Sequence, residues 1–253
     1  MEPTDAEAMA PPRRWARRAL LTWVSTWVLA VSTQVGVGLA LDVTWVDPVL
    51  TMWLVVLAAA LCAVLSAVVV VRAFRSGSGE TAMLGSFLMG ISVLPVAHGL
   101  LIPGALYGAN DGVLATAQLA VPVSAVALVP LVLPAGFARS LARRWRLAVP
   151  AHLSIVFGLA AAVLMWPDLV PAAPTGSPAA VTVAAVSLLV CFGLSVRHLR
   201  LSLLSGAGAP LVLSTGLALV GSAPLLFVVG EMYSVAFWLA HALDVTGVLL
   251  AAA

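Results

Sequence analysis

Long apolar runs fill this chain, and short segments with charged or helix-breaking residues separate them. Eight of the runs can each cross a membrane as a helix, because a hydrocarbon core about 30 Å thick needs about 20 apolar residues. Helices are expected because a spanning segment must pair its own backbone polar groups. The predicted fold class is therefore an all-α bundle of eight transmembrane helices. The predicted spans are residues 19–41, 49–71, 82–106, 112–137, 147–167, 178–196, 208–229 and 232–253.

The basic residues predict how the spans are oriented. All twelve are arginine, and they lie in the N-terminal segment or after the second, fourth and sixth spans. The other connections carry acids or no charge, which is the positive-inside pattern of a cytoplasmic membrane. We therefore expect residues 1–18 to form a cytoplasmic tail, residues 19–253 to form the transmembrane domain, and both termini to lie inside. The arginines are Arg13, Arg14, Arg17, Arg18, Arg72, Arg75, Arg139, Arg143, Arg144, Arg146, Arg197 and Arg200.

The last two spans need a tight turn, because residues 208–253 hold two helices with almost no connection between them. A glutamate inside hydrocarbon costs several kcal/mol. We therefore place the turn at Gly230 and Glu231, at the membrane surface. The alternative has seven spans and puts the C-terminus outside; the eight-span arrangement is preferred.

Composition excludes several classes of function. The chain is 62% hydrophobic and 9% charged, whereas soluble domains carry about one quarter charged residues. A net charge of +2 gives no bulk attraction for nucleic acid, and the arginines are suited to anionic lipid headgroups. No motif of a soluble-type active site is present, so an enzyme is not favoured. The lysine-free sequence, rich in Ala, Val and Leu, is typical of a bacterium with a GC-rich genome, which points to the bacterial cytoplasmic membrane.

Polar side chains inside the spans are the candidates for function, because each must face water or a partner. With a rise of about 1.5 Å per residue, His98 and His241 lie about 12 and 14 Å below the outer surface. Gln34 and Gln118 lie about 10 Å below it. Four polar side chains from four helices at one level predict a pocket in the outer half of the membrane. The alternative for the glutamines is that each bridges two helices.

Asp244 and Trp238 extend this predicted pocket. Asp244 lies one turn deeper than His241 on the same helix face. An ionised carboxylate near the midplane is costly, so Asp244 must be protonated or paired. Trp238 lies one turn before His241 on that face and would form a wall. The predicted ligand-binding or proton-sensing residues are His98, Gln118, Trp238, His241, Asp244 and Gln34, and no catalytic residue is predicted.

Two imidazoles at one depth also permit a cofactor. Histidines on facing helices can be axial ligands of haem or ligands of a metal ion. Haem proteins of this type often contain two such histidine pairs, whereas this chain offers only His98 and His241. Haem or a metal ion therefore stays an alternative.

The segment Pro95-Val-Ala-His-Gly-Leu-Leu-Ile-Pro-Gly-Ala-Leu resembles part of the membrane-embedded sensor regions of actinobacterial signalling proteins. Such regions precede nucleotide cyclase, diguanylate cyclase or histidine kinase domains. The resemblance implies a sensory or input module in which His98 is the most distinctive residue. Because no output domain follows the last span in this sequence, we expect a stand-alone protein, a homo-oligomer or a module with a separate signalling partner. The alternatives are a small-solute or proton-coupled transporter that uses Asp244, and a haem-binding electron carrier.

Overall fold

The computed structural model describes residues 13–41, 43–132 and 143–253. Within these ranges the chain is helical and forms no β-strand, and eight helices are long and apolar enough to cross a membrane. The protein is therefore an all-helical, multi-pass membrane protein, as predicted. The helices are α1 (Arg13–Ala40), α2 (Pro48–Ser76), α3 (Gly79–Leu100), α4 (Gly112–Ala125), α5 (Trp145–Met165), α6 (Pro178–Ser205), α7 (Gly208–Ser222) and α8 (Val235–Ala252).

Two of the spans contain a change of helix type near a proline. α4 continues through a 3₁₀ turn (Val126–Leu128) into a last helical turn (Val129–Val132). α7 likewise continues through Ala223–Leu225 into Leu226–Val229. Proline removes a backbone donor, which favours such local changes in helix geometry. The predicted end of the fourth span at residue 137, the N-terminal residues 1–12 and Arg139 lie outside the described residues.

The helix ends show why these segments start and stop where they do. Asp47 caps α2, where its side chain accepts a hydrogen bond from the Leu50 amide at 3.0 Å, and Pro48 takes the first helical position. Ser177 caps α6 in the same way. Ser234 caps α8 and accepts a hydrogen bond from the Phe237 amide at 3.2 Å. Oxygen side chains at these positions satisfy amides that the helix leaves free.

Several predicted bounds were wrong by up to nine residues. α2 and α6 run past residues 71 and 196 to Ser76 and Ser205, and α1 already begins at Arg13. The arginines at the ends of these three apolar runs therefore lie within helices. A long arginine side chain can still reach the lipid headgroups from there. α3 ends at Leu100, six residues before the predicted bound. The segment that follows contains Pro103 and then Gly104 at φ 86°, which is incompatible with a continued helix.

The eight helices give the bundle two chemically different ends. Apart from Arg139, all arginines belong to one end, where Glu80 pairs with Arg197 at 2.8 Å. We call this the arginine end and the opposite one the acidic end. At the acidic end, the Trp45 amide donates to the Tyr233 carbonyl at 2.9 Å. Among the described residues, the acidic ones at that end are Asp47, Asp111, Asp168 and Glu231. That the arginine end faces the cytoplasm remains a prediction from the charge pattern.

α3 lies at the centre of the bundle. In its most apolar 18-residue window 78% of residues are buried, against 17% for α1. Phe87, Leu88 and Leu94 are fully buried there. At Gly90 the helix lies so close to α4 that a Cβ atom would overlap the Ser124 side chain. His98 lies in the last turn of α3, near the acidic end.

Candidate functional site

The structure brings His98 and His241 into contact. The two rings are stacked, with centroids 5.5 Å apart and an interplanar angle of 30°. His98 comes from the last turn of α3, and His241 comes from the second turn of α8. The two imidazoles that the sequence placed at one level are therefore direct neighbours.

Backbone hydrogen bonds orient both rings. His98 Nδ1 lies 2.6 Å from the Val113 carbonyl oxygen, and His241 Nδ1 lies 2.8 Å from the Phe237 carbonyl oxygen. A carbonyl oxygen only accepts, so each Nδ1 carries the hydrogen and each Nε2 of a neutral ring carries a lone pair. His98 Nε2 is buried and has no hydrogen-bond partner within the described chain. Both rings therefore present an acceptor nitrogen.

A cavity of about 330 Å³ leads from the acidic end to these residues. Its mouth contains the exposed side chains of Asp111, Thr175 and Glu231, and His241 and Asp244 line it farther inside, along α8. We call it the acidic-end cavity. Its walls are mainly apolar. They include Ile91, Pro95, Leu114, Val121, Pro224, Leu226, Phe227, Met232 and Phe237.

A second cavity, of about 380 Å³, lies between α2, α3 and α8. Three of its lining residues, Leu54, Ala242 and Thr246, are exposed on the outer surface of the bundle. This lateral cavity therefore opens toward the hydrocarbon of the membrane. It shares four lining residues with the acidic-end cavity. The shared residues are Ile91, Pro95, His241 and Asp244.

Asp244 is the most unusual group of the site. It is partly buried, it lines both cavities, and it makes neither a hydrogen bond nor an ion pair to any described residue. It follows His241 by three positions on α8, so the two side chains lie on one face. A charged carboxylate at this depth requires a proton or a cation as its partner. The site therefore offers a place for one positive charge.

Aromatic side chains position the histidines. The Phe237 ring centroid lies 4.3 Å from that of His241 and 6.2 Å from that of His98. Trp238 packs edge-on against Phe237 and also contacts Trp45 near the start of α2. Trp238 lines the lateral cavity, whereas the sequence predicted it as a wall of the pocket that contains His98. Its buried Nε1 has no acceptor among the described residues.

The structure places Gln34 and Gln118 away from both cavities. Gln118 Nε2 donates to the Ala173 carbonyl at 2.7 Å, and the Ala173 amide donates back to Oε1 at 3.0 Å. Gln34 Nε2 donates to the Ala236 carbonyl at 3.0 Å and joins α1 to α8. Gln34 therefore bridges two helices, as the alternative predicted, whereas Gln118 joins α4 to the segment between α5 and α6. Depth along a helix predicts the level of a side chain but not the direction in which it points.

Three residues of the site were not predicted from the sequence. The sequence predicted only a turn at the membrane surface for Glu231, and it gave no role to Asp111 or Phe237. The available signal was the shared end of the two acids, because loops that follow odd-numbered spans must meet on one side of the bundle. Phe237 could have been found from its four-residue spacing to His241 on one helix face.

The remaining histidines have structural surroundings, and no metal centre is formed by the described residues. His152 binds the Ser86 hydroxyl at 2.7 Å and the Val123 carbonyl at 3.1 Å, so both of its nitrogens are used. His198 lies at the arginine end beside Arg197. Within the described ranges, no three His, Cys, Asp or Glu side chains are grouped closely enough to hold a metal ion.

Comparison with known proteins does not assign this chain to a family. No protein-family model matches it, and no curated protein or solved structure is significantly similar to it. The resemblance of residues 95–106 to bacterial sensor regions therefore stays a prediction. Function is inferred from the two cavities and their side chains.

Proposed function

We propose that this protein is a membrane-embedded sensory module that binds a small ligand in the acidic-end cavity. The observation that carries the proposal is Asp244, a carboxylate with no partner in the described part of the chain, which lies deep in a cavity whose mouth is at the end of the bundle. A polar group inside the membrane is costly unless it has a task or a partner. Apolar walls with a few oriented polar groups are also typical of small-molecule sites.

In this proposal α8, which contributes His241 and Asp244 to the ligand site, also transmits ligand binding to the arginine end. His241 and Asp244 lie on α8, which packs so closely on α7 that a Cβ at Gly216 would lie 2.5 Å from the Gly247 carbonyl. A shift of α8 on ligand binding would therefore displace α7 as well. Both helices reach the arginine end, where a separate signalling protein or a second copy of this chain would read the shift. In this proposal, the arginine end faces the bacterial cytoplasm.

The proposal is tested by filling the cavity. Ala240 lines the acidic-end cavity and is buried, so Ala240→Phe occupies the ligand space next to His241. Ala161→Phe is the matched control, because Ala161 is exposed on the outer surface of α5. Hydrogen exchange would be measured in lipid nanodiscs with benzylamine, benzyl alcohol or benzoate added separately. We expect at least one probe to slow exchange in residues 166–177 and 230–234 of the natural protein and of Ala161→Phe, but not of Ala240→Phe.

Two results would contradict a sensory pocket. One is that none of the three probes changes exchange in the natural protein. The other is that Ala240→Phe, shown to be folded by its circular dichroism, responds to the probes as strongly as the natural protein does.

A transporter is the second candidate, and a specific observation favours it. Asp244 lies in the wall shared by two cavities that open in different directions, one at the acidic end and one toward the lipid. As a coupling group, Asp244 would take up a proton from the acidic-end cavity and release it to water on the side of the arginine end, and an ionisable residue within a span is typical of such proton relays. Proteoliposomes with an imposed pH gradient would then lose the gradient faster than empty liposomes, and Asp244→Asn would abolish the difference. A sensor would leave the gradient unchanged.

The haem alternative has no comparable support. Two axial imidazoles must approach the iron from opposite faces of the porphyrin. The rings of His98 and His241 are stacked face to face with centroids 5.5 Å apart, which leaves no room for a porphyrin coordinated between them. The absorption spectrum of the purified protein is expected to lack a Soret band, even after expression with added haem.

A further inference from the structure

We infer that the ligand of the acidic-end cavity is a small monovalent organic cation with an N–H donor and an apolar body. This inference rests on the proposed ligand-binding function and adds the chemical class of the ligand. It depends on three properties of the cavity, namely the hydrogen-bonding sense of its deep polar groups, the sign of its charges and the nature of its walls.

The deep polar groups of the cavity are hydrogen-bond acceptors. His241 Nδ1 is committed to the Phe237 carbonyl, so Nε2 of the neutral ring accepts. The stacked His98 ring restricts rotation of His241 and is itself committed to the Val113 carbonyl. The Asp244 carboxylate, in the ionised form that pairs with a cation, accepts as well, and it lies on the same face of α8. A ligand that satisfies this pair must therefore bring donors.

The charges of the cavity have one sign. Asp111 and Glu231 lie at the mouth and Asp244 lies at depth, whereas no lysine or arginine is among its described lining residues. The Asn110 amide cannot attract an anion, because Nδ2 already donates to the Leu101 and Gly108 carbonyls. Acidic groups lining a cleft of low dielectric raise the local concentration of cations. An anionic ligand would meet repulsion at the mouth and no counter-charge below it.

The apolar walls favour a ligand with an apolar body, and the single carboxylate below the mouth favours a ligand with one positive charge. Leu114, Phe227 and Phe237 present apolar surface, and an aromatic face also attracts ammonium groups. The volume of about 330 Å³ lies near the lower limit of about 300 Å³ for small-molecule pockets, so the body must be compact. Asp244 is the one carboxylate beneath the mouth among the described lining residues. A second positive charge on the ligand would therefore be left without a partner in the membrane.

The test compares probes of one shape and different charge. Benzylamine (protonated at pH 7), benzyl alcohol and benzoate share a ring and differ in the polar group, and benzyltrimethylammonium keeps the charge but lacks the N–H donor. Binding would be measured from the rise in melting temperature of the full chain in lipid nanodiscs. We expect benzylamine to bind at least tenfold more tightly than each of the other three probes.

Substitutions test whether Asp244 and Glu231 are responsible for the binding of benzylamine. Asp244→Asn should weaken benzylamine binding at least tenfold, and Asp244→Glu should retain most of it. Glu231→Gln at the mouth should weaken it a few-fold, and salt should reduce this difference. Asp47→Asn is the matched control, because asparagine also caps a helix and Asp47 does not line the cavity. If Asp244→Asn does not fold, the Glu231→Gln and Asp244→Glu variants decide the question.

The outcomes separate this inference from the proposed function. If benzyl alcohol or benzoate binds as tightly as benzylamine, and Ala240→Phe abolishes that binding, the pocket stands and the cation is wrong. If benzylamine binds equally to the natural protein and to Asp244→Asn, the role of Asp244 is wrong. If no probe binds, both the proposed function and the ligand class fall.

Discussion

Gly216 and Gly247 allow the backbones of α7 and α8 to touch. A Cβ atom at Gly216 would lie 2.5 Å from the Gly247 carbonyl oxygen, and one at Gly247 would lie 2.6 Å from the Gly216 carbonyl oxygen. Both obstacles are backbone atoms, which cannot move aside as a flexible side chain can. Close contacts of this kind between small residues stabilise helix pairs in membranes.

Gly247→Ala is therefore expected to destabilise the protein by about 1–3 kcal/mol, the usual cost of an overpacked contact. The control is Gly193→Ala in α6, where a Cβ atom meets nothing within 4 Å. There, alanine should stabilise the helix by about 0.5–1 kcal/mol. Thermal unfolding in one detergent measures both. A Gly247→Ala variant as stable as the Gly193→Ala variant would show that the helices are not in backbone contact.

Tyr233 lies outside the membrane spans, in the turn before α8, and burial raises the pKa of its phenol. The neutral phenol is thus favoured in the folded state. Its contribution to stability is complete below the ordinary tyrosine pKa of about 10 and is lost as the pH rises through the higher pKa of the folded state.

The tyrosine content makes this effect measurable, since the chain contains only Tyr107 and Tyr233. The difference between the phenolate absorbance of the natural protein and that of Tyr233→Phe isolates Tyr233. We expect its midpoint to lie above that of a free tyrosine. A midpoint at or below the ordinary value would mean that the turn exposes this side chain to water.

For single residues, the sequence predicted the level of a polar side chain along the bundle well, but it predicted poorly the direction in which the side chain points. It placed His98, His241 and Asp244 near one level, and the structure brings the first two into contact and all three to one cavity. It also placed Gln118 at that level, but the Gln118 amide binds Ala173. The angle around a helix depends on which neighbours pack against it, and a single sequence of nearly uniform apolar residues contains little information on that.

At the scale of the structural elements, the segment between α5 and α6 is held over the acidic end by Gln118. Both atoms of the amide group take part, one as a donor and one as an acceptor to Ala173. Thr175 of the same segment lines the cavity mouth. Gln118 therefore fixes part of the mouth although it does not contact the cavity.

Gln118→Met keeps the length of the side chain and removes both hydrogen bonds. We expect faster hydrogen exchange at residues 170–177, with the spans themselves unaffected. Gln34→Met serves as the control, because Gln34 binds Ala236 at the start of α8 instead. Equal exchange of residues 170–177 in Gln118→Met and in the natural protein would contradict the role assigned to Gln118.

The ends of α2 and α6 were predicted poorly, although a glycine in the left-handed conformation, Gly77 or Gly206, follows each of them. The apolar runs predicted the start of α6 correctly, and Gly230 and Glu231 predicted the turn before α8. Arg72 and Arg197 did not end their helices, because arginine is a good helix former. Charge indicates where the membrane surface lies, whereas backbone chemistry determines where the helix stops.

At the scale of the whole molecule, the hydropathy of a span does not predict how deeply it is buried. The α2 span has a mean hydropathy of 3.1 with 28% of its window buried, and the α3 span has 1.6 with 78% buried. In a membrane, lipid is as apolar as the protein interior, so the most apolar helices need not be central. The number of spans could therefore be predicted from apolar runs, but the central position of α3 could not. The glycines and serines of α3 were the available signal, since low hydropathy alone does not distinguish α3 from the largely exposed α1.

Both the sensor and the transporter proposals require an aqueous cavity that reaches Asp244 from the acidic end. It is tested most directly by labelling Asp244→Cys, in a background with Cys62 and Cys191 changed to alanine, with a small cationic methanethiosulfonate. Thr175→Cys at the mouth shows which vesicle side carries the acidic end, and Leu249→Cys on the exposed surface of α8 is the lipid-facing control. We predict that the thiol of Asp244→Cys is labelled from the acidic side only, and much faster than the thiol of Leu249→Cys. Labelling of Asp244→Cys that is as slow as that of the control, or equal from both sides, would contradict the account.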